Sequence, residues 1–164
     1  MIIGKGDIAS VLPDRKGFTF FASGVSNSQE TRESEFTSEK NLLLQQPEST
    51  HLVYFSSLSI FYGKSRYVEH KKEMEDLVKQ IFRHYTIIRI GNIDWGNNPH
   101  TIINYIRRKI KDNEPFRVED VYRYIVNQFE FLHWISLIPE WNCEMNIPGE
   151  RMKVRQIVET YGYT

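Results

Sequence analysis

The chain has one cysteine, Cys143, in 164 residues. That excludes an internal disulfide and a cysteine cluster for zinc. Neither charge is in excess, since 21 basic residues balance 21 acidic ones. No global field favours nucleic acid, and none is expected as a partner. No run of about 20 apolar residues occurs, so no membrane span is expected. The opening Met1-Ile2-Ile3-Gly4 lacks a basic region followed by a long apolar core, so it does not read as a signal peptide. The histidines (His51, His70, His84, His100 and His133) are scattered without metal-ligand spacing, and no metal site is expected. There is no internal repeat and no low-complexity segment. The simplest expectation is a cytoplasmic protein forming one domain over residues 1–164. A chain of this length can bury roughly 70% of its unfolded surface and needs no staples.

What is present is an alternation of short apolar runs and amphipathic segments. Met1-Ile2-Ile3, Phe18 to Ala22, His51 to Phe55, Thr86 to Ile90 and Glu144 to Ile147 read as strands. Asp7 to Leu12 predicts a short helix ended by Pro13, and Ser34 to Gln46 a helix that stops before Pro47. Val68 to His84 predicts a long helix with Met74, Leu77, Val78, Ile81 and Phe82 on one face. Thr101 to Lys111 carries a stripe of isoleucines. Val118 to Leu132 and Met152 to Tyr161 also read as helices. The polar stretch Asn27 to Arg32 is the best candidate for a mobile segment. This alternation predicts a three-layer α/β domain with a mainly parallel sheet of four to five strands.

Two short stretches carry chemistry. The first is Gly4-Lys5-Gly6-Asp7-Ile8-Ala9, directly after the first strand. A first glycine permits a tight turn, and a second lets backbone N–H groups approach a pyrophosphate. A small residue three positions on lets the following helix pack close to the strand. Gly4, Gly6 and Ala9 fill those places in order. A helix N-terminus there would favour phosphate, whereas Asp7 would oppose it. The plainer reading is an ordinary strand–turn–helix connection. A dinucleotide site also wants an acidic residue about 20 positions on, yet Phe21 to Asn27 holds none and Asp14 comes too early. Either the cofactor carries a 2′-phosphate, or the usual second strand is missing.

The second stretch is Phe55-Ser56-Ser57-Leu58-Ser59, followed by Tyr67 and Lys71. Residues four apart share one helix face, so Tyr67 and Lys71 can point into one cleft. An ammonium near a phenol favours the phenolate. A serine hydroxyl can hold a substrate oxygen in place. Such a set moves protons while a nicotinamide moves hydride. Tyr105 and Lys109 have the same spacing but belong to an unrelated helix surface.

With these motifs in this order, the chain resembles the NAD(P)-dependent epimerases and dehydratases, the extended short-chain dehydrogenase/reductase family. Gly4 to Ala9 matches its N-terminal turn, and Phe21 to Ser26 its fourth strand and following loop. Asn41 to Leu44 resembles the next helix, and Val53 to Ser57 the fifth strand with its serine. Tyr67 and Lys71 match YxxxK. Ile88-Arg89-Ile90-Gly91-Asn92-Ile93 resembles the next strand segment, and Phe116 to Val121 and Ile147 to Gly162 resemble later ones.

The resemblance implies a Rossmann-like fold, NAD or NADP as cofactor and a nucleotide sugar as substrate. It implies cofactor contacts at Gly4, Gly6, Ala9 and Ser23. Tyr67 would be the acid/base, Lys71 its electrostatic partner, and Ser57 or Ser59 the orienting hydroxyl. It also implies a homodimer through the YxxxK helix and the helix after the next strand. The departures are as specific. Only seven residues separate Ala9 from Gly17, so the family's second and third strands are deleted. Ser57 and Tyr67 are ten apart, where the family has a longer insert, and Leu58 stands where many members keep Ser or Thr.

The remaining features read plainly. Glu69, Glu73, Glu75 and Asp76 lie among lysines, as on a solvated helix face. Arg107 to Lys111 is a basic helix end that suits the helix dipole. Phe129 to Ile138 is a dense apolar run suited to a core, or to an interface. Three functions stay open: a minimal reductase or epimerase, a non-catalytic binding protein that keeps the fold, and an enzyme of another class using the residual cleft.

Overall fold

The computed structural model describes residues Met1–Thr164. In chain order the elements are β1 (Ile2–Ile3), β2 (Phe18–Phe21), α1 (Glu33–Leu44), β3 (His51–Ser57), α2 (Arg66–Ile81) and β4 (Tyr85–Ile90). Then follow β5 (Asn92–Ile93), α3 (Ile102–Lys111), β6 (Tyr122–Val126), α4 (Gln128–Ser136), β7 (Cys143–Ile147), β8 (Glu150–Lys153) and α5 (Val154–Tyr161). The main sheet has the order β1-β2-β3-β4-β7 and is parallel throughout. The expected α/β fold with a reduced parallel sheet is therefore the observed one.

Alternation along the strands sorts the core into two faces. Phe20, Val53, Phe55, Ile88, Ile90 and Ile147 point to one face and meet Phe131 and Ile135 of α4. Phe21, Leu52, Tyr54 and Ile87 point to the other and meet Leu43 of α1 and Met74 and Val78 of α2. Strands covered on both sides need apolar residues at every position, which is why these runs are nearly unbroken. A small second sheet has the order β5-β6-β8, with β6 and β8 antiparallel. Ile125 of β6 packs with Ile103, Ile106, Met152 and Ile157. Its neighbour Val126 enters the main core, so β6 ties the two sheets together.

Three expected helices are corrected. Residues 118–132 do not form one helix. Tyr122–Val126 is a strand, in keeping with its aromatic and β-branched residues. The helix starts after Asn127, whose side chain accepts from the Glu130 N–H at 2.9 Å. Met152 and Lys153 belong to β8, and α5 begins at Val154. Between Asp7 and Pro13 only a 3-10 turn forms, over Ala9–Val11. Six residues before a proline are too few to repay helix nucleation.

Candidate active site

A cleft of about 700 Å³ opens at the C-terminal ends of the main strands, where open α/β sheets place ligands. Each wall follows from a strand end. The turn after β1 brings Gly6, and the loop after β2 brings Ser23. Ser56, Ser57 and Ser59 come from the end of β3 and the turn after it. Ser65 caps α2, accepting from the Val68 N–H at 3.3 Å. That start places Tyr67 in the first turn of α2 and Lys71 one turn on, both lining the cleft.

Six of the eight residues singled out by sequence thus line one cleft: Gly6, Ser23, Ser57, Ser59, Tyr67 and Lys71. Gly4 and Ala9 do not. Gly4 adopts φ 124°, a conformation that favours glycine, and a Cβ there would collide with the Ala22 backbone. Its role is the close passage of β1 to β2. Ala9 is buried in the 3-10 turn. Gly6 differs. Its φ is not in the left-handed region, and a Cβ would meet nothing within 4 Å. Nothing inside the folded chain requires a glycine at position 6.

No helix dipole reaches the glycine turn, because the helix expected there is a single 3-10 turn. Asp7 is engaged elsewhere. Its carboxylate accepts from the N–H groups of Asn97 at 3.1 Å and Asn98 at 2.8 Å. The Trp95 indole N–H donates to its carbonyl at 3.1 Å. Asp7 is thus a clasp joining the glycine turn to the loop before α3.

The serine–tyrosine–lysine set has a partner that the sequence reading missed. The Lys71 ammonium is buried and donates to Glu39 Oε1 at 3.1 Å and to the Tyr54 hydroxyl at 3.2 Å. The Glu39 carboxylate also accepts from the Tyr54 hydroxyl at 2.7 Å, the Val25 N–H at 2.8 Å and His70 Nε2 at 2.9 Å. Burial pushes the Glu39 carboxyl up, but Lys71 and these donors outweigh it and hold it at about 2. Burial pushes the Lys71 ammonium down, and Glu39 more than reverses this, so Lys71 titrates above its ordinary value. Burial and Glu39 both push the Tyr54 phenol up. Gly24 makes room for the pair, since a Cβ would sit 2.8 Å from Lys71 Nζ and 2.9 Å from Glu39 Oε1. One signal could have revealed Glu39. It falls between Phe36 and Leu43 on the buried stripe of α1, where a carboxylate needs a cation.

The other polar groups are arranged for contact. Ser57 and Ser59 share a hydrogen bond of 2.8 Å between hydroxyls. Ser56 Oγ is buried on the cleft wall with no partner in the chain. Lys71 Nζ lies 5.6 Å from the centre of the Tyr67 ring. Glu75 is not on a solvated face as expected; it is buried and paired with Arg89 at 2.6 Å. Tyr105 lies on the surface of α3, with Lys109 paired to Glu114.

No protein-family model and no curated protein sequence matches the chain. Solved structures do. UDP-glucose 4-epimerase from Thermotoga maritima, solved with UDP-glucose, is similar over 90% of this chain and 62% of its own, at 14% identity and TM-score 0.70. The NAD complex of UDP-glucose 4-epimerase from Thermus thermophilus matches 90% of this chain and 61% of its own, at 14% identity and TM-score 0.67. The NAD complex of dTDP-glucose 4,6-dehydratase from Bacillus anthracis matches 87% and 56%, at 12% identity and TM-score 0.65. The chain spans little more than half the length of these structures. No helix is long and apolar enough to cross a membrane. The fold of this chain is the fold of these epimerase and dehydratase structures, a Rossmann-like α/β architecture with a mainly parallel sheet.

Proposed function

We propose that this chain is a minimal short-chain dehydrogenase/reductase-like protein that uses NAD or NADP to act on a nucleotide sugar as an epimerase, dehydratase or reductase. One observation carries the reading. Ser57, Ser59, Tyr67 and Lys71 line the same cleft as Gly6 and Ser23, at the C-terminal ends of a parallel sheet. Tyr67 holds or accepts the proton of a substrate hydroxyl, and Ser57 or Ser59 orients that oxygen. Lys71 supplies a fixed positive charge beneath the tyrosine, held there by Glu39. A bound nicotinamide would supply hydride transfer. Gly6 fits such a group, since the space where a Cβ would lie is open. Residues 1–164 act as one unit in this reading, because β6 contributes to both cores.

The test is calorimetry and thermal shift against NAD, NADP, UDP-glucose and dTDP-glucose, followed by turnover. Tyr67→Phe keeps the ring and removes the transferable proton. Turnover should fall about 100-fold or more with the melting temperature little changed. A variant as active as the parent ends the assignment of Tyr67.

A second reading has its own support. The Lys71 ammonium already has Glu39 and Tyr54 as partners and is buried, so it offers little to a ligand. That favours a non-catalytic protein binding a nucleotide or partner. Ligand binding without turnover of any sugar nucleotide selects it. Homodimerisation through α2 and α3 has less to rest on, since their apolar stripes turn into this chain's own cores.

A further inference from the structure

We infer that the cleft takes a mononucleotide, the nicotinamide-ribose-phosphate half of a dinucleotide, and leaves an adenosine half without a binding surface. The inference rests on the proposed function and narrows its ligand. A doubly wound sheet consists of two mononucleotide-binding halves. A dinucleotide lies across the point where the strand order reverses, at the first strand. Here the order β1-β2-β3-β4-β7 runs in one direction only. β1 is the edge strand and pairs with β2 alone. The deletion is internal. Between Ile3 and Phe18 the chain forms a 3-10 turn at Ala9–Val11 and no strand.

The half that would hold adenosine also supplies the acid for its ribose. No substitute stands in. Asp14, the acid nearest in sequence after Asp7, does not line the cleft. Asp7 is committed to the N–H groups of Asn97 and Asn98. The nicotinamide side is intact. Ser23, Ser26 and Ser28 of the loop after β2 line the cleft together with Ser57, Ser59 and Tyr67. Gly6 lies open at the phosphate end, and the Lys5 side chain beside it brings a cation for a terminal phosphate.

Calorimetric titrations of the whole chain with nicotinamide mononucleotide, NAD and adenosine monophosphate test this. Nicotinamide mononucleotide and NAD should bind within about threefold of each other, and adenosine monophosphate should not displace either. Gly6→Val should abolish binding of both while leaving the melting temperature in place, because nothing packs where its side chain would grow. NAD binding about tenfold or more tighter than the mononucleotide shows a real adenosine surface and overturns the inference while the proposed function stands. Displacement by adenosine monophosphate overturns it too. If neither nicotinamide compound binds at millimolar concentration, the proposed cofactor is wrong and this inference falls with it.

Discussion

Replacing Glu39 by Gln should lower stability at pH 7 by about 3–5 kcal/mol, the usual cost of removing one partner from a buried ion pair. The structure supports the size independently. The Glu39 carboxyl is almost fully buried and falls from an ordinary 4.5 to about 2 in the fold. At ~1.4 kcal/mol per tenfold, that difference contributes about 3 kcal/mol. The sign follows from the direction. A carboxyl depressed by folding stabilises above its unfolded value and loses that contribution as pH falls through its folded value. The parent protein should therefore lose this contribution between about pH 5 and pH 2, and Glu39→Gln should lack that part of the acid limb. Exposed carboxylates lowered by their own partners, Glu30 by Arg32 and Glu114 by Lys109, are the same in both proteins, so the difference curve isolates Glu39. Urea denaturation from pH 2 to pH 8 measures it. Adding Lys71→Met to Glu39→Gln removes the stranded ammonium and should recover part of the loss. A Glu39→Gln protein within about 1 kcal/mol of the parent, or one with the same acid limb, refutes the buried-pair argument.

Gly4→Ala should destabilise the protein by more than 1 kcal/mol or so, because it adds positive-φ strain and a collision with Ala22. Gly6→Ala should be close to neutral, and equal melting temperatures for the two would contradict the assignment of Gly4 to structure and Gly6 to ligand approach. Asp7→Ala leaves two backbone N–H groups without their acceptor and should cost about 1–2 kcal/mol in urea unfolding; an unchanged midpoint would show that the clasp is idle. Phe129 is 92% exposed, so Phe129→Ser should change stability by less than about 0.5 kcal/mol while raising solubility. A larger loss in a melting experiment would place Phe129 in a packed contact.

The strands were legible because they are local and nearly uniformly apolar. A run such as Leu52-Val53-Tyr54-Phe55 is buried on both faces and has few alternatives to a central strand. The long helix was legible from its stripe, while its start at Arg66, with Tyr67 in the first turn, came from the Ser65 cap that the structure shows. Their convergence with Ser57 on one cleft followed from strand order and spacing. Elements whose identity depends on distant partners were not legible. Tyr122–Val126 has strand-forming residues, but the β5 and β8 partners that it pairs with lie outside its own stretch, and read locally it merged into the helix that follows. Phe129 to Ile138 splits the same way, with Phe131, Ile135 and Ile138 packed inward while Phe129 and Leu137 face solvent.

The electrostatics lay further from reach. Glu39 and Lys71 are 32 residues apart and Asp7 and Asn98 are 91 apart, and no local pattern pairs them. The sequence by itself determined the alternation, the short interval between Ala9 and Gly17, and the order of the motifs, because these are written in neighbouring residues. Only the tertiary structure decided that Lys71 is neutralised by a buried carboxylate, that Asp7 is a clasp and that β1 is a sheet edge. Those outcomes depend on which chain segments meet in space, and in a buried site the energy of a charge is set by what surrounds it.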